Sequence, residues 1–240
     1  MVAERSEVSV ADARKLVEEM REYYGARAPW HDCYMGYTGN AALEKLLAPI
    51  VAVVEELLSG RDVLEVACGT GNWTQVLAKR AASVLATDVN ETTLRRAEAK
   101  DRPAGAARFQ VADAYTLEGV SGGFTGAFAS DWWSHVPGSL LPGFLDSLHG
   151  RLEGGARVVF LDMLPREHPD LTPYRHDGEG NAICRRTLPD GRVFDVVKNF
   201  PSRSDILESV TGRGESAEYH EWRELGRWLV TYTVSAPPCG

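Results

Sequence analysis

From residue 61 onward apolar residues come in short, β-branched runs: DVLEVA (62–67), SVLATD (83–88), ARFQVA (107–112), FTGAFAS (124–130) and ARVVFLD (156–162). Runs of this length, apolar at most positions, predict strands buried on both faces. Segments with helical spacing, at about 72–80, 91–100 and 138–150, separate most of them. Strand and helix in alternation need right-handed crossovers, so the pattern predicts an α/β fold with a doubly wound, mainly parallel sheet.

The flanks differ. Ser9-Val10-Ala11-Asp12 has the form of a capping box ahead of an amphipathic helix with Leu16, Met20 and Tyr24 four apart and Gly25 as its stop. A second helix is predicted from Asn40 to Leu58, with Pro49 kinking or breaking it and Gly60 ending it. Residues 165–184 are rich in Pro, Gly, His and charge and predict an inserted loop or lid. RRTLPDGRVFDVVKNF predicts a hairpin turned by Leu-Pro-Asp-Gly, SDILESVTGRG a helix, and EWRELGRWLVTYTVS a final strand.

Charge and cysteine usage narrow the partners. The 240 residues carry 26 Lys+Arg against 34 Asp+Glu, net −8. That field repels polyphosphate, which argues against nucleic acid and anionic membranes. Cys33, Cys68, Cys184 and Cys239 form no C-x-x-C pair, so neither a zinc site nor a redox motif is expected. With no signal-peptide core and no apolar run long enough to span a bilayer, the expectation is a cytoplasmic protein, monomeric or homodimeric, acting on a small molecule.

The first strand breaks into Gly69-Thr70-Gly71 ahead of a helix. In a dinucleotide fingerprint a third glycine follows, but here Thr74 stands in its place. Glu65 places a carboxylate before the turn, which opposes a pyrophosphate and suits a cationic ligand. Asp88 ends the second strand at the distance where an acid accepts two ribose hydroxyls, for NAD and adenosine alike. Asp113 and Ala114 end the third, where a carboxylate and a backbone N–H can recognise adenine. These strand ends describe an adenosine site without a phosphate cradle.

Over residues 61–163 the chain resembles the class I S-adenosylmethionine-dependent methyltransferases, whose E-x-A/G-C/S-G-T-G motif matches Glu65 to Gly71 and whose acids match Asp88 and Asp113. YYGARAPWHDCYMGY, SDWWSHVP and RRTLPDGRVFDVVKNF extend the likeness to a bacterial small-molecule subgroup that includes phosphonate O-methyltransferases of antibiotic pathways. The resemblance implies a seven-stranded Rossmann-like sheet, with 1–60 as an N-terminal helical lid. Residues 61–240 form the core, interrupted by the insertion at about 165–184 and a substrate-side hairpin at about 184–200.

It also implies S-adenosylmethionine as methyl donor, with S-adenosylhomocysteine as product and no metal. Tyr24 and Arg27 then lie near the methionine carboxylate, with Glu65, Gly69, Gly71, Asp88, Asp113, Ala114 and Asp131 completing the cofactor site. Tyr37, Trp132, His135, Arg186 and Lys198 surround the substrate, Arg and Lys suiting an anionic group. His135 is either a general base or a packed residue bonded to a carbonyl. Asp131 and Trp132 depart from the subgroup's pattern beside the substrate, so the acceptor itself is not implied. Two other readings stand beside this one: a nicotinamide-dependent oxidoreductase, and a nucleoside-binding module without turnover.

Overall fold

The structure is a computed structural model that describes residues 2–37 and 40–235, with side chains from residue 12 onward. Helix α1 spans Val2–Arg27, α2 His31–Tyr34 and α3 Ala41–Leu57. Five strands follow with their crossover helices: β1 Asp62–Val66, α4 Asn72–Leu77, β2 Ser83–Asp88, α5 Glu91–Glu98, β3 Ala107–Val111, β4 Phe124–Ser130, α6 Leu141–His149 and β5 Leu152–Met163. The rest comprises β6 Arg175–His176, β7 Ala182–Thr187, β8 Val193–Val197, α7 Arg203–Val210, β9 Gly214–Trp222 and β10 Arg227–Val234.

The main sheet has seven strands in the order β3-β2-β1-β4-β5-β10-β9. Its first five are mutually parallel, and β10 enters antiparallel to both β5 and β9. Successive residues of β1 point to opposite faces. Leu64 and Val66 join a core with Phe144 and Leu148 of α6 and Ile206 of α7, whereas Val63 joins Ile50 and Val54 of α3 and Leu77 of α4. Both faces are therefore covered, as the apolar runs require.

The smaller sheet, β6-β7-β8, is antiparallel and packs on α1 rather than on the main sheet: Leu16, Met20 and Tyr23 bury against Ile183, Phe194, Val196 and Val197. This small core frees the neighbouring Tyr24 to face the cleft described below.

Several expectations need correction. Helix α1 is already formed at Val2 and runs past Gly25 to Arg27, so the expected cap and stop both lie within it; the Ser9 side chain is outside the described ones. Helix α3 continues unbroken through Pro49, with the Asn40 side chain accepting from the Leu43 N–H at its start. Strand β3 is the sheet's edge and only half covered, Val111 being exposed. The final segment is not one strand: Trp222 closes β9, Gly226 turns with φ 61°, and β10 begins at Arg227. Residues 182–184 of the expected insertion belong to β7, buried against the small core.

Candidate active site

A cleft of about 460 Å³ opens at the carboxyl ends of β1, β2, β3 and β4, roofed by α1, α2 and the segment after β5. Open α/β sheets bind ligands at that edge, where the strand order reverses between β1 and β4.

The glycine turn divides its labour in a way its sequence does not reveal. Gly69 lines the cleft at φ 58°, and its N–H donates to Asp88 Oδ2 at 3.1 Å, while Asn90 N–H donates to Oδ1 at 2.8 Å. With that amide engaged by Asp88, it is not available to a phosphate. Gly71 does not line the cleft: at φ 77° a Cβ there would stand 2.7 Å from the Ala97 Cβ, so the residue serves the close approach of α5. Glu65, expected beside the ligand, is buried beneath the turn and accepts from Thr74 Oγ1 at 2.6 Å. Its carboxyl is pushed up to about 8 by burial. Glu65 and Gly71 therefore support the site from below rather than touch a ligand. Asp88 itself is raised to about 6 by burial, against the pull of its backbone hydrogen bonds.

Asp113 and Ala114 line the cleft as expected, with Asp113 Oδ1 accepting the Tyr115 N–H at 2.8 Å. Beside them stand two buried donors without a partner, Tyr115 Oη and Trp132 Nε1, their rings 5.5 Å apart. Sequence reasoning missed Tyr115, although its place directly after Ala114 is the available signal.

At the other end of the cleft, His135 is buried with Nδ1 2.6 Å from the Val197 carbonyl oxygen. A carbonyl only accepts, so Nδ1 carries the proton and Nε2 presents its lone pair. Tyr24 Oη lies 2.9 Å from Nε2 and donates to it. Tyr24, expected at the methionine carboxylate, is thus bonded to His135. Burial, together with the charge of Lys198, holds the His135 pKa well below the usual imidazole value.

Two of the cleft's cations, Lys198 and Arg227, come with carboxylate partners of their own. Lys198 is 2% exposed, donates to Ser134 Oγ at 2.6 Å and lies 3.3 Å from Asp162 Oδ1. It lines the cleft as expected, but its charge is paired with Asp162 rather than free. Asp131, at φ 54°, hydrogen-bonds Arg227 at the start of β10; Arg227 lines the cleft and had no signal in the sequence. Tyr37 lies in the same corner, its phenol pushed up to about 12 by burial and by Asp131. Arg186 lines the cleft with its Nε buried and unpartnered, and Arg27 likewise with Nε and Nη2.

Asp32 of α2, also unforeseen, ties the roof to the turn by accepting from Thr70, Asn72 and Lys100. Burial raises its carboxyl, but those donors outweigh it and hold the group below the usual range.

A methyltransferase-domain family model matches residues 63–155. The solved DhpI–SAH complex is 29% identical, with 92% of this chain and 98% of that chain aligned at a TM-score of 0.68. DhpI in complex with SAM and HEP is also 29% identical, over 90% and 97% at 0.71. The chain is a class I S-adenosylmethionine-dependent methyltransferase. S-adenosylmethionine is accordingly its methyl donor, and the nicotinamide and non-catalytic readings fall away. The methyltransferase also shares its fold with the Burkholderia thailandensis 1,6-didemethyltoxoflavin-N1-methyltransferase, at 16% identity and a TM-score of 0.61 over 92% and 90% of the two chains. No curated protein matches it. Among the described residues no helix is long and apolar enough to cross a membrane, and no cluster of metal-ligating side chains occurs.

Proposed function

We propose that this methyltransferase moves the methyl group to an oxygen or nitrogen of a small anionic metabolite in natural-product biosynthesis, in the cytoplasm. The carrying observation is Arg186, buried at 6% exposure in the cleft wall with its Nε unpartnered. A buried guanidinium N–H without an acceptor is costly, and a phosphonate or carboxylate satisfies it through paired hydrogen bonds. The complex of DhpI with SAM and HEP supports a small acceptor beside the donor.

In this reading the donor's ribose lies on Asp88, its adenine beside Asp113, Ala114, Tyr115 and Trp132, and its methionine carboxylate on Arg27, which lines the cleft with two nitrogens unpartnered. These residues fit the molecule: a largely buried acid lining the cleft at the end of β2, orphan donors at both ends, and no free row of amides for a pyrophosphate. Bound there, S-adenosylmethionine supplies an electrophilic methyl on a sulfonium.

The chain's own residues then hold and orient. Asp32 fixes the roof over the glycine turn, and α1 closes the cleft as a lid that excludes water. His135 is a weak base here, with Nε2 capped by Tyr24, so the site favours an acceptor that reacts already ionised. Tyr24 and His135 then position the nucleophile rather than deprotonate it, while Arg186 grips the anion. Placement of this kind lowers a barrier by about 7–11 kcal/mol when donor and acceptor are held in line. The test is labelled S-adenosylmethionine with a panel of small phosphonates and carboxylates against their neutral esters and amides. Transfer to the anions is expected, and transfer only to the neutral compounds would overturn the proposal.

A further inference from the structure

Arg186 does not face the cleft alone. It reaches the wall from β7, and Asp170 reaches it from the turn Pro169–Leu171 in the segment between β5 and β6. Arg186 Nη1 and Asp170 Oδ2 are 3.5 Å apart, a contact between charges rather than a short hydrogen bond. Asp170 has no other side-chain partner among the described residues and is one-third exposed within the cleft. Its backbone N–H donates to His168 Nδ1 at 3.2 Å, which fixes the turn that presents the carboxylate.

Two of the other cations in the cleft wall are matched, whereas Arg27 and Arg166 make no ion pair among the described residues. Lys198 is paired with Asp162 and Arg227 with Asp131, so neither is available to neutralise Asp170. A simple anion bound at the unpartnered Nε of Arg186 would share one guanidinium with Asp170, a second negative group. Like charges that close repel more strongly in a partly buried cleft wall than in bulk water. A ligand carrying both charges resolves this, with its anion on the Nε side of Arg186 and its cation against Asp170.

We infer that the methyl acceptor is a zwitterion of the amino-acid type, an aminophosphonate or amino carboxylate, whose anionic head binds Arg186 and whose ammonium binds Asp170. The inference rests on the anionic-acceptor reading above and adds the ammonium to it. Asp170 is then a specificity residue: it selects, among acids of one size, those that bear an amine.

Calorimetry on the protein loaded with S-adenosylhomocysteine tests it, using aminomethylphosphonate against methylphosphonate and alanine against propionate. The amino member of each pair should bind roughly tenfold tighter or more, as a charge-assisted hydrogen bond implies. In Asp170→Asn that preference should vanish, and in Asp170→Glu part of it should return; binding of S-adenosylhomocysteine by each variant reports that it has folded. Equal binding within both pairs by the unaltered protein, or a preference that survives in Asp170→Asn, would overturn the role of Asp170 and leave the anion site standing. Binding of S-adenosylhomocysteine but of none of the four acids would sink the anionic-acceptor reading as well.

Discussion

Replacing Gly71 by alanine would put a Cβ 2.7 Å from the Ala97 Cβ and 3.1 Å from its Cα, on a residue held at φ 77°. The left-handed backbone costs a non-glycine residue about 1–2 kcal/mol. The overlap is with helix α5 itself rather than the end of a flexible side chain, so relieving it adds about 1–3 kcal/mol. Gly71→Ala should therefore lose about 2–5 kcal/mol, a large share of the ~5–15 kcal/mol typical of a domain. Gly69 is the internal control: it has φ 58°, but nothing lies within 4 Å of its added Cβ. Gly69→Ala should lose only the conformational ~1–2 kcal/mol. Since Gly69 lines the cleft, this variant should instead weaken S-adenosylhomocysteine binding. Urea unfolding followed by circular dichroism, with matched m-values, measures the first effect and calorimetry the second. If Gly71→Ala unfolds within about 1 kcal/mol of the unaltered protein, or the two alanine variants lose equal stability, the division between a packing glycine and a cleft glycine is wrong.

Three further outcomes are expected. Glu65 holds its proton to about pH 8 when folded but to about 4.5 when unfolded, so stability should decline as pH rises through that window, by about 1.4 kcal/mol per unit. Glu65→Gln should flatten the decline in unfolding curves taken from pH 5.5 to 7.5, and an unchanged slope would refute it. Asp88 ionises near pH 6 in the free protein, and ribose hydroxyls favour the ionised form; the affinity for S-adenosylhomocysteine should drop as pH falls below about 6, and calorimetry should find that dependence lost in Asp88→Asn. Lys198→Met leaves Asp162 buried without its counter-ion and should destabilise by about 3–5 kcal/mol. Arg185→Met removes an exposed partner of Asp195 and a cation–π contact with the exposed Tyr174 ring and should cost about 0–2 kcal/mol; equal losses in the two variants would deny that Lys198 is a structural charge.

Arg186, Asp88, Asp113, Ala114 and His135 all line the cleft that the sequence led one to expect, because strand ends are local features and a parallel sheet brings them to one edge. The signal failed where a residue's role depends on a distant partner. Lys198 reads as a free cation at the substrate; it does line the cleft, but its ammonium is paired with Asp162, 36 positions away. Tyr24 meets His135 across 111 positions and Arg227 meets Asp131 across 96, separations over which no periodicity carries information.

By itself, the sequence determined the parallel part of the sheet, the order of its strands' acids and, through Gly69 to Gly71 with Asp88 and Asp113, an adenosine-type site; the methyl donor followed from its likeness to known methyltransferases. Such motifs are written in residues a few positions apart, where backbone geometry and turn chemistry act directly. Only the tertiary structure decided that Gly71 packs while Gly69 faces the ligand, that Glu65 lies beneath the turn, and that Arg186 shares the acceptor end with Asp170. Those outcomes depend on which side chains burial brings together, and in a low-dielectric interior the nearest partner decides whether a charge is free to bind.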